Sequence, residues 1–390
     1  MVGPSSALRR RLLLRVLPAV LALAAAVAIA VPVVRHSDAA TTVSVQASSA
    51  PRPLPRAPLP AVLRVRWSAP PAPPAVSAPP TPGAESGTVV LADSTGVSGR
   101  DPLTGAVRWS YHRGNAKLCG WVVQDGVVVV AFGKRAGCRD ITGLDAGTGA
   151  RRWYRNADLG PAVQLTGTAS VVVARSGDQL VAVDTATGLN RWTARKAGCR
   201  YGPVTVGQLG AVAVVTCGAQ NLLVSHDPYA DSQRWSVPAP GADPVVVAMT
   251  DQEVAVLAGD RDRTLTRYNG SGHRLGALTD PRLTGPAGSD WPSGVTAGGL
   301  TVYWTGQRVV ALDLSAGTVR WAVRADGPPT PDGGRLLFAA AGGFVECSPG
   351  TGRMLRRIPV DGSAPRAGAR IARIGALLVA ASPVGTAVLG

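Results

Sequence analysis

The sequence has 390 residues, of which 46% are hydrophobic and 16% charged, so it is too apolar to be an intrinsically disordered chain. Its 47 Gly and 32 Pro exclude an all-α bundle and suit short strands joined by turns. The formal net charge of +16 favours an anionic partner without identifying its chemistry.

The N-terminal region predicts a single membrane-spanning helix. Residues 16–34 contain no charged side chain, and this run is long enough to cross the hydrocarbon core of a bilayer. The arginines that precede it predict that residues 1–15 lie in the cytoplasm and that everything after the helix lies outside the cell membrane. The alternative is a signal peptide cleaved near Ser37-Asp38-Ala39, where small residues have the required spacing.

Two proline-rich stretches follow, separated by one predicted strand. Residues 35–60 are polar, small and proline-rich, which predicts an extended extracytoplasmic linker that holds a folded domain off the membrane. Residues 61–68 alternate apolar and basic side chains, as a half-buried strand does. Such a strand needs a partner elsewhere in the chain.

The rest of the sequence repeats one pattern: Asp, two residues, Thr or a small residue, Gly, three residues and Trp. Four copies have identical spacing, namely Asp101, Gly105 and Trp109; Asp145, Gly149 and Trp153; Asp184, Gly188 and Trp192; and Asp313, Gly317 and Trp321. A fifth copy keeps Asp227 and Trp235, and weaker copies begin at Asn269 and Ser348. The copies start about 42 residues apart, which is the length of a four-stranded propeller blade.

We interpret the repeated residues as structural rather than catalytic. The Asp carboxylate can accept backbone N–H groups within a turn, and the Gly can adopt the left-handed conformation that the turn needs. The Trp begins the last strand of each blade and offers a large apolar face to bury between neighbouring sheets.

The number of hairpins predicts the architecture. Eight hairpins are recognisable, but only seven of them are followed by a Trp-type strand. The strand at 61–68, which contains Trp67, can complete the last blade and close the ring, which removes exposed sheet edges. We therefore expect an all-β domain over residues 61–390, an eight-bladed β-propeller of four-stranded antiparallel blades. A seven-bladed ring is the alternative.

The motif with its Thr-Gly and Trp resembles the repeat of the PQQ-like propellers, a family that includes quinoprotein alcohol dehydrogenases and the BamB-type scaffold of outer-membrane protein assembly. The resemblance extends over nearly all of residues 61–390 and implies the propeller fold. In the quinoprotein enzymes the cofactor lies on the ring axis beside a disulfide of two adjacent cysteines, and this chain has no adjacent cysteine pair. The resemblance therefore implies the non-catalytic branch, without a cofactor.

Four of the five cysteines occur in two pairs of similar spacing. Cys119 and Cys138 flank the hairpin of one blade, and Cys199 and Cys217 have similar locations in another. The repeated spacing predicts two disulfides within blades, which an exported protein can form. Metal binding is the alternative, although the chain has no C-x-x-C pair and its histidines are scattered. Cys347 is then a single buried thiol.

Together these features predict a membrane-anchored extracytoplasmic binding scaffold and not an enzyme. The expected partner is a protein or an anionic component of the cell envelope, and neither a nucleic acid nor a metal is expected. We expect a monomer. The alternative, because fold does not fix function, is a sensor or a PQQ-dependent oxidoreductase that holds a small ligand in the axial funnel.

Overall fold

The computed structural model describes residues 37–390, except 75, 78–81, 135–136, 169, 260–262, 285–293, 341 and 363–367. The predicted cytoplasmic tail at 1–15 and the predicted membrane helix at 16–34 lie outside the described residues. Within the described ranges, no helix has the length and apolar character needed to span a bilayer. The regular secondary structure in these ranges consists of strands, apart from one short α-helix and one 3-10 turn (Pro281–Leu283), so the all-β prediction is confirmed.

The strands form eight four-stranded units, in each of which sheet neighbours are antiparallel. The chain begins with α1 (Asp38–Thr41), β1 (Thr42–Val45) and β2 (Leu63–Ala69). Unit 1 contains β3 (Ala84–Glu85), β4 (Thr88–Ala92), β5 (Gly96–Arg100) and β6 (Val107–Arg113); unit 2 contains β7 (Lys117–Gln124), β8 (Val127–Lys134), β9 (Gly137–Asp145) and β10 (Arg151–Leu159). Unit 3 contains β11 (Gln164–Gly167), β12 (Val171–Ser176), β13 (Gln179–Asp184) and β14 (Asn190–Arg195); unit 4 contains β15 (Cys199–Gly207), β16 (Gly210–Cys217), β17 (Gln220–His226) and β18 (Gln233–Pro238).

The remaining units follow the same order. Unit 5 contains β19 (Val245–Met249), β20 (Glu253–Ala258), β21 (Thr264–Asn269) and β22 (Arg274–Thr279); unit 6 contains β23 (Val295–Ala297), β24 (Leu300–Trp304), β25 (Arg308–Asp313) and β26 (Thr318–Arg324). Unit 7 contains β27 (Thr330–Asp332), β28 (Arg335–Ala340), β29 (Gly343–Cys347) and β30 (Met354–Asp361); unit 8 contains β31 (Arg370–Ile374), β32 (Leu377–Ser382), β33 (Gly385–Leu389) and, as its outer strand, β2.

The two ends of the described chain meet in unit 8. Strand β2 pairs antiparallel with β33, so that Trp67 lies opposite Val388. The strand predicted at 61–68 is therefore found at Leu63–Ala69, beside the last hairpin. Contacts among the inner strands link each unit to the next, and β31 contacts β3. The described units thus form a closed, propeller-like ring, with the eight-unit count that the hairpins predict.

The ring has two distinct rims because the strands of a unit alternate in direction. The turns between first and second strands and between third and fourth strands lie on one side, which we call the turn rim. The turns between second and third strands lie on the opposite side, together with the connections between units, and we call this side the connection rim. The repeated Asp turns all belong to the turn rim.

Alternate side chains of each central strand pack against the two neighbouring units, as the period of a strand requires. In β8, Val128 and Val130 are buried in a cluster with residues of unit 1, including Val97. Val129 of the same strand is buried in a cluster with Val172 of unit 3. Both faces are covered, which explains the uninterrupted valine run of this strand.

The repeated Trp side chains join neighbouring units. The Trp109 indole Nε1 donates to the Ala146 carbonyl of the next unit at 3.1 Å, and its ring lies against Gly149, where an added Cβ would approach Trp109 Cδ2 to 2.7 Å. Equivalent indole-to-carbonyl bonds, all to the unit that follows, are Trp67 to Pro102, Trp153 to Thr185, Trp235 to Gly270 and Trp321 to Pro349.

Three junctions depart from this arrangement. Trp192 stacks on His226, with ring centroids 5.3 Å apart. Unit 5 has Gly276 at the Trp position, and the guanidinium of Arg267 lies against Gly276 and Gly317 instead. In unit 7 the Trp position is Arg356, which donates to the carbonyl oxygen of Leu59 at 3.0 Å and also contacts that of Pro60.

Both predicted disulfides are present. Cys119 is bonded to Cys138 and Cys199 to Cys217, each joining strand ends on the connection rim. Cys347 is a free and buried thiol, and burial raises its pKa to about 11.

The segment before β2 differs from the predicted spacer at 35–60. Strand β1 pairs with β6 as a fifth strand of unit 1. The chain then crosses the turn rim, where Arg108 donates to the Ser49 carbonyl at 3.0 Å and Arg373 to the Ala57 carbonyl at 2.7 Å. Proline lacks a backbone N–H, so a proline-rich strip offers mainly carbonyl acceptors, and arginines of the ring satisfy them. The described part of the predicted spacer, residues 37–60, is therefore docked on the ring.

Candidate functional site

The repeated Asp residues of the turn rim are committed to their own turns. Asp145 Oδ1 accepts the backbone N–H groups of Gly147 and Thr148 at 3.0 and 2.9 Å, and Oδ2 accepts Arg152 at 2.6 Å. Burial opposes ionisation, but the hydrogen bonds from Arg152 and Thr148 outweigh it and lower the pKa of Asp145 below its ordinary value. Asp184 and Asp227 are held in the same way by Arg191 and Arg234. The ring spaces these carboxylates along its circumference.

The turn of unit 4 has a different sequence and carries an exposed tyrosine. Asp227 still organises this turn by accepting the N–H groups of Tyr229 and Ala230 at 2.8 and 3.1 Å. The residue at the usual Gly position is Asp231. The turn holds Tyr229 on the surface with 53% of the residue exposed.

Two contacts from unit 3 fix the orientation of Tyr229. The Arg191 guanidinium carbon lies 5.5 Å from the centre of the tyrosine ring, and the Tyr229 hydroxyl is 3.1 Å from Ser170 Oγ. Arg191 is itself paired with Asp184. A cation over a ring face and a hydrogen bond at the ring tip restrict both side-chain torsions, so the exposed face of Tyr229 is pre-oriented.

An exposed leucine lies on the same part of the rim. Leu189 directly follows Gly188 in the Asp184 turn and is 58% exposed. We call Ser170, Leu189, Arg191 and Tyr229 the Tyr229 surface. Tyrosine and arginine are enriched at the centres of protein interfaces, where apolar neighbours exclude water. This composition suits binding of a protein partner.

Further apolar side chains are exposed elsewhere on the turn rim. They lie within a repeat turn or near the start of an outer strand, and they are Leu103, Val107, Leu275, Met354 and Leu355.

The connection rim carries a cavity near the ring axis. A cavity of ≈ 550 Å³ is lined by the proline-rich segment 70–74, by Trp121 and by Arg175. Arg175 donates to Gln164 Oε1 at 2.9 Å and to the Tyr201 carbonyl at 2.8 Å. The buried indole nitrogen of Trp121 has no hydrogen-bond partner among the described residues.

A second cavity, of ≈ 280 Å³, shares Arg370 with the first. It is lined by Tyr303, which is 1% exposed and whose hydroxyl has no hydrogen-bond partner in the part of the chain that the structure describes. Burial raises the pKa of this hydroxyl above its ordinary value. The two cavities are thus lined by two residues whose hydrogen-bond donors have no partner among the described residues, Trp121 and Tyr303, and the cationic side chain of Arg370 lines both.

A cluster of charges holds the start of the described chain on the connection rim. Arg113, with 2% of its side chain exposed, forms ion pairs with Asp38 and Asp140, each at 2.7 Å. Lys134 also pairs with Asp38, and Asn115 donates to it at 2.7 Å. We call these five residues the N-terminal latch. Burial opposes ionisation of Asp38, but the hydrogen bonds from Lys134, Asn115 and Arg113 lower its pKa to about 2.

The sequence identified the turn residues but neither the Tyr229 surface nor the latch. Tyr229 could have been found as the one aromatic residue within a repeat turn that had lost its Gly. Asp38 has no such signal because its partner Arg113 is distant in the chain. Among the residues described, no group of three or more His, Cys, Asp or Glu side chains could hold a metal ion.

Comparison with known proteins agrees with the PQQ-like prediction. A family profile described as "Outer membrane protein assembly factor BamB" matches residues 137–208. BamB from Moraxella catarrhalis is similar in structure with a TM-score of 0.54 at 15% identity, over 84% of this chain and 99% of that protein. The computationally designed Ika8 protein is similar in structure with a TM-score of 0.57 at 14% identity, over 83% of this chain and 98% of the designed protein.

A quinohemoprotein alcohol dehydrogenase from Comamonas testosteroni has the same fold, with a TM-score of 0.51 at 13% identity, over 84% of this chain and 76% of the enzyme. A search of curated proteins gives no significant match. At such identities the structural likeness concerns the fold, which both a BamB protein and an oxidoreductase possess.

Proposed function

We propose that this chain, a PQQ-like β-propeller protein, is a non-catalytic scaffold that is anchored in the cell membrane. Its propeller lies on the outer side of that membrane and binds another protein through the Tyr229 surface. The observation that carries the proposal is the exposed tyrosine held in one orientation by Arg191 and Ser170. A pre-oriented aromatic side chain loses little conformational entropy on binding. Leu189, two residues before Arg191, adds exposed apolar area from the neighbouring turn.

The comparisons support a scaffold at the level of fold. The matched profile is named for an assembly factor, and the BamB structure is covered almost completely. The carboxylates of Asp145, Asp184 and Asp227 are occupied by turn N–H groups and arginines, which suits a structural role for them.

The latch supports a retained membrane anchor over a cleaved signal peptide. Cleavage after Ala39 would remove Asp38 and leave the buried Arg113 with one carboxylate instead of two. Leaving a buried charge undercompensated is costly, so a chain that keeps Asp38 is more stable than one cleaved after Ala39. Mass spectrometry of the mature protein tests this part: an N-terminus before residue 16 supports the anchor, and an N-terminus at residue 40 contradicts it.

Site-specific photo-crosslinking in the native cell tests the binding surface. A photoreactive residue at position 229 of the full-length protein should give one discrete protein adduct, which Leu189→Ser should reduce. The matched control is position 384, because Val384 is apolar and 52% exposed but lies on the connection rim. Equal adducts at both positions, or an adduct at 229 that Leu189→Ser does not reduce, would contradict the assignment of the Tyr229 surface.

A second candidate function is the binding of a small ligand in the axial cavities. It is favoured by the unpartnered donors of Trp121 and Tyr303 and by the shared Arg370, since buried polar groups are normally satisfied. Calorimetric titration with pyrroloquinoline quinone and Ca²⁺ tests it. Stoichiometric binding that Tyr303→Phe weakens would support this candidate, and the absence of a heat of binding would count against this ligand.

A further inference from the structure

The N-terminal latch fixes where the described chain starts on the ring. Asp38 contacts Arg113 at the end of β6 and Lys134 at the end of β8. Both strand ends belong to the connection rim, at units 1 and 2. From there β1 runs toward the turn rim, since Thr42 lies opposite Arg113 and Val45 opposite Ser110.

The distance between the latch and the apolar run is short. Three residues lie between Val34, the last residue of that run, and Asp38, and a fully extended chain spans at most about 14 Å over these four residue steps. The spacer predicted from the sequence at 35–60 could span about 90 Å if extended. The latch therefore removes nearly all of the freedom that such a spacer would give.

Exposed charged side chains surround the latch on the same rim. Lys117 and Arg139 are exposed, and Lys117 lines a groove of ≈ 600 Å³ together with Lys134 of the latch. Asp93 and Asp158 are exposed carboxylates on this rim, and Asp158 lies 3.4 Å from Arg139, whereas Lys117 forms no ion pair with any described residue. A basic group held close to a membrane is attracted to its anionic headgroups, by roughly 1 kcal/mol.

We propose that the connection rim of units 1 and 2 rests against an anionic lipid surface, with the turn rim directed away from it. This inference rests on the proposed membrane anchor. It also accounts for the placement of the two surfaces, because the Tyr229 surface lies on the opposite rim and stays open to a protein partner. The occupant of the groove beside Lys117 is then a phospholipid headgroup.

Fluorescence quenching by lipid tests this orientation in the full-length protein. Ser94→Cys on the connection rim and Ser232→Cys on the turn rim form a matched pair, since both serines are exposed. Each variant carries one fluorophore and is placed in vesicles of phosphatidylglycerol that contain a headgroup-quenching lipid. Unlabelled background is checked with the unsubstituted chain, in which the free Cys347 is buried.

The inference predicts strong quenching at position 94 and little at position 232. The further change Asp38→Ala opens the latch and should reduce the difference between the two positions, while both proteins still sediment with the vesicles. A protein that does not sediment with vesicles would contradict the proposed anchor. A protein that sediments but is quenched equally at 94 and 232, or more at 232, would contradict the orientation alone.

Vesicles of neutral phosphatidylcholine separate charge from tethering. With the anchor inserted, quenching at position 94 should fall in neutral vesicles if headgroup charge holds the rim down. The double variant Lys117→Glu with Arg139→Glu should give the same loss in anionic vesicles. Unchanged quenching in both comparisons would contradict the anionic headgroup as the occupant of the groove.

Discussion

Replacing Gly149 with alanine tests how the ring is assembled from its units. The backbone φ of Gly149 is +74°, and an added Cβ would lie 2.7 Å from Cδ2 of the buried Trp109. The left-handed conformation costs an alanine about 1–2 kcal/mol, and forcing a methyl group into a packed core costs about 1–3 kcal/mol more. We therefore expect Gly149→Ala to lower the free energy of unfolding by about 2–5 kcal/mol.

Gly177→Ala is the matched control for this substitution. Gly177 also has a positive φ, of +56°, but no atom lies within 4 Å of the position that an added Cβ would occupy. This control should lose only the conformational part, about 1–2 kcal/mol. Urea unfolding followed by tryptophan fluorescence measures both variants. If Gly149→Ala and Gly177→Ala lower the free energy of unfolding equally, then the Trp109 ring can make room for the added methyl group. That result would refute the argument that tight packing of the repeat Trp side chains holds the units together.

Three other changes have defined outcomes. Burial lowers the pKa of His226 below its ordinary value, although the charge of Asp231 opposes the shift. The unfolded chain therefore binds more protons than the folded one near pH 6, and the stability should fall as the pH drops below about 6.5. In thermal melts, His226→Gln should make the stability depend less on pH in this range. The paired change Cys199→Ala with Cys217→Ala should cost about 3 kcal/mol in urea unfolding, and no loss would contradict a stabilising disulfide. Arg356→Ala should destabilise the junction of units 7 and 8, because the carbonyl oxygens of Leu59 and Pro60 lose a charged donor. Segment 51–62 of this variant should then be cleaved faster by protease than in the unsubstituted chain. An unchanged rate of cleavage would contradict the prediction.

The repeat could be predicted because its causes are local. Asp145 and Gly149 act within one turn, and the Trp that follows stands at a fixed place in the next strand, so their spacing is visible in the sequence. The closing strand was also predictable, since Trp67 identifies it as an outer strand that precedes the first hairpin in the sequence. The paired cysteine spacings reflect the same repetition, and both disulfides follow it.

The departures could not be predicted because they depend on residues that are distant in the chain. Arg356 replaces a Trp, and its acceptor Leu59 lies 297 residues away. The proline-rich stretch at 51–60 has the composition of a free linker, and only Arg356 and Arg373 of the turn rim show that it is docked. Asp38 is likewise an ordinary linker residue until the ring places Arg113 and Lys134 beside it.

Hydrogen exchange of β2 tests the closed ring most directly. The hydrogen bonds of Leu63–Ala69 are made with β33 and, over a short parallel stretch, with β30, so these amides are protected only if the chain ends are joined. A closed ring predicts that the amides of residues 63–69 that face β33 exchange slowly, as those of the buried strand β8 do. Exchange of those amides within seconds, while β8 stays protected, would contradict the closure of the ring by β2.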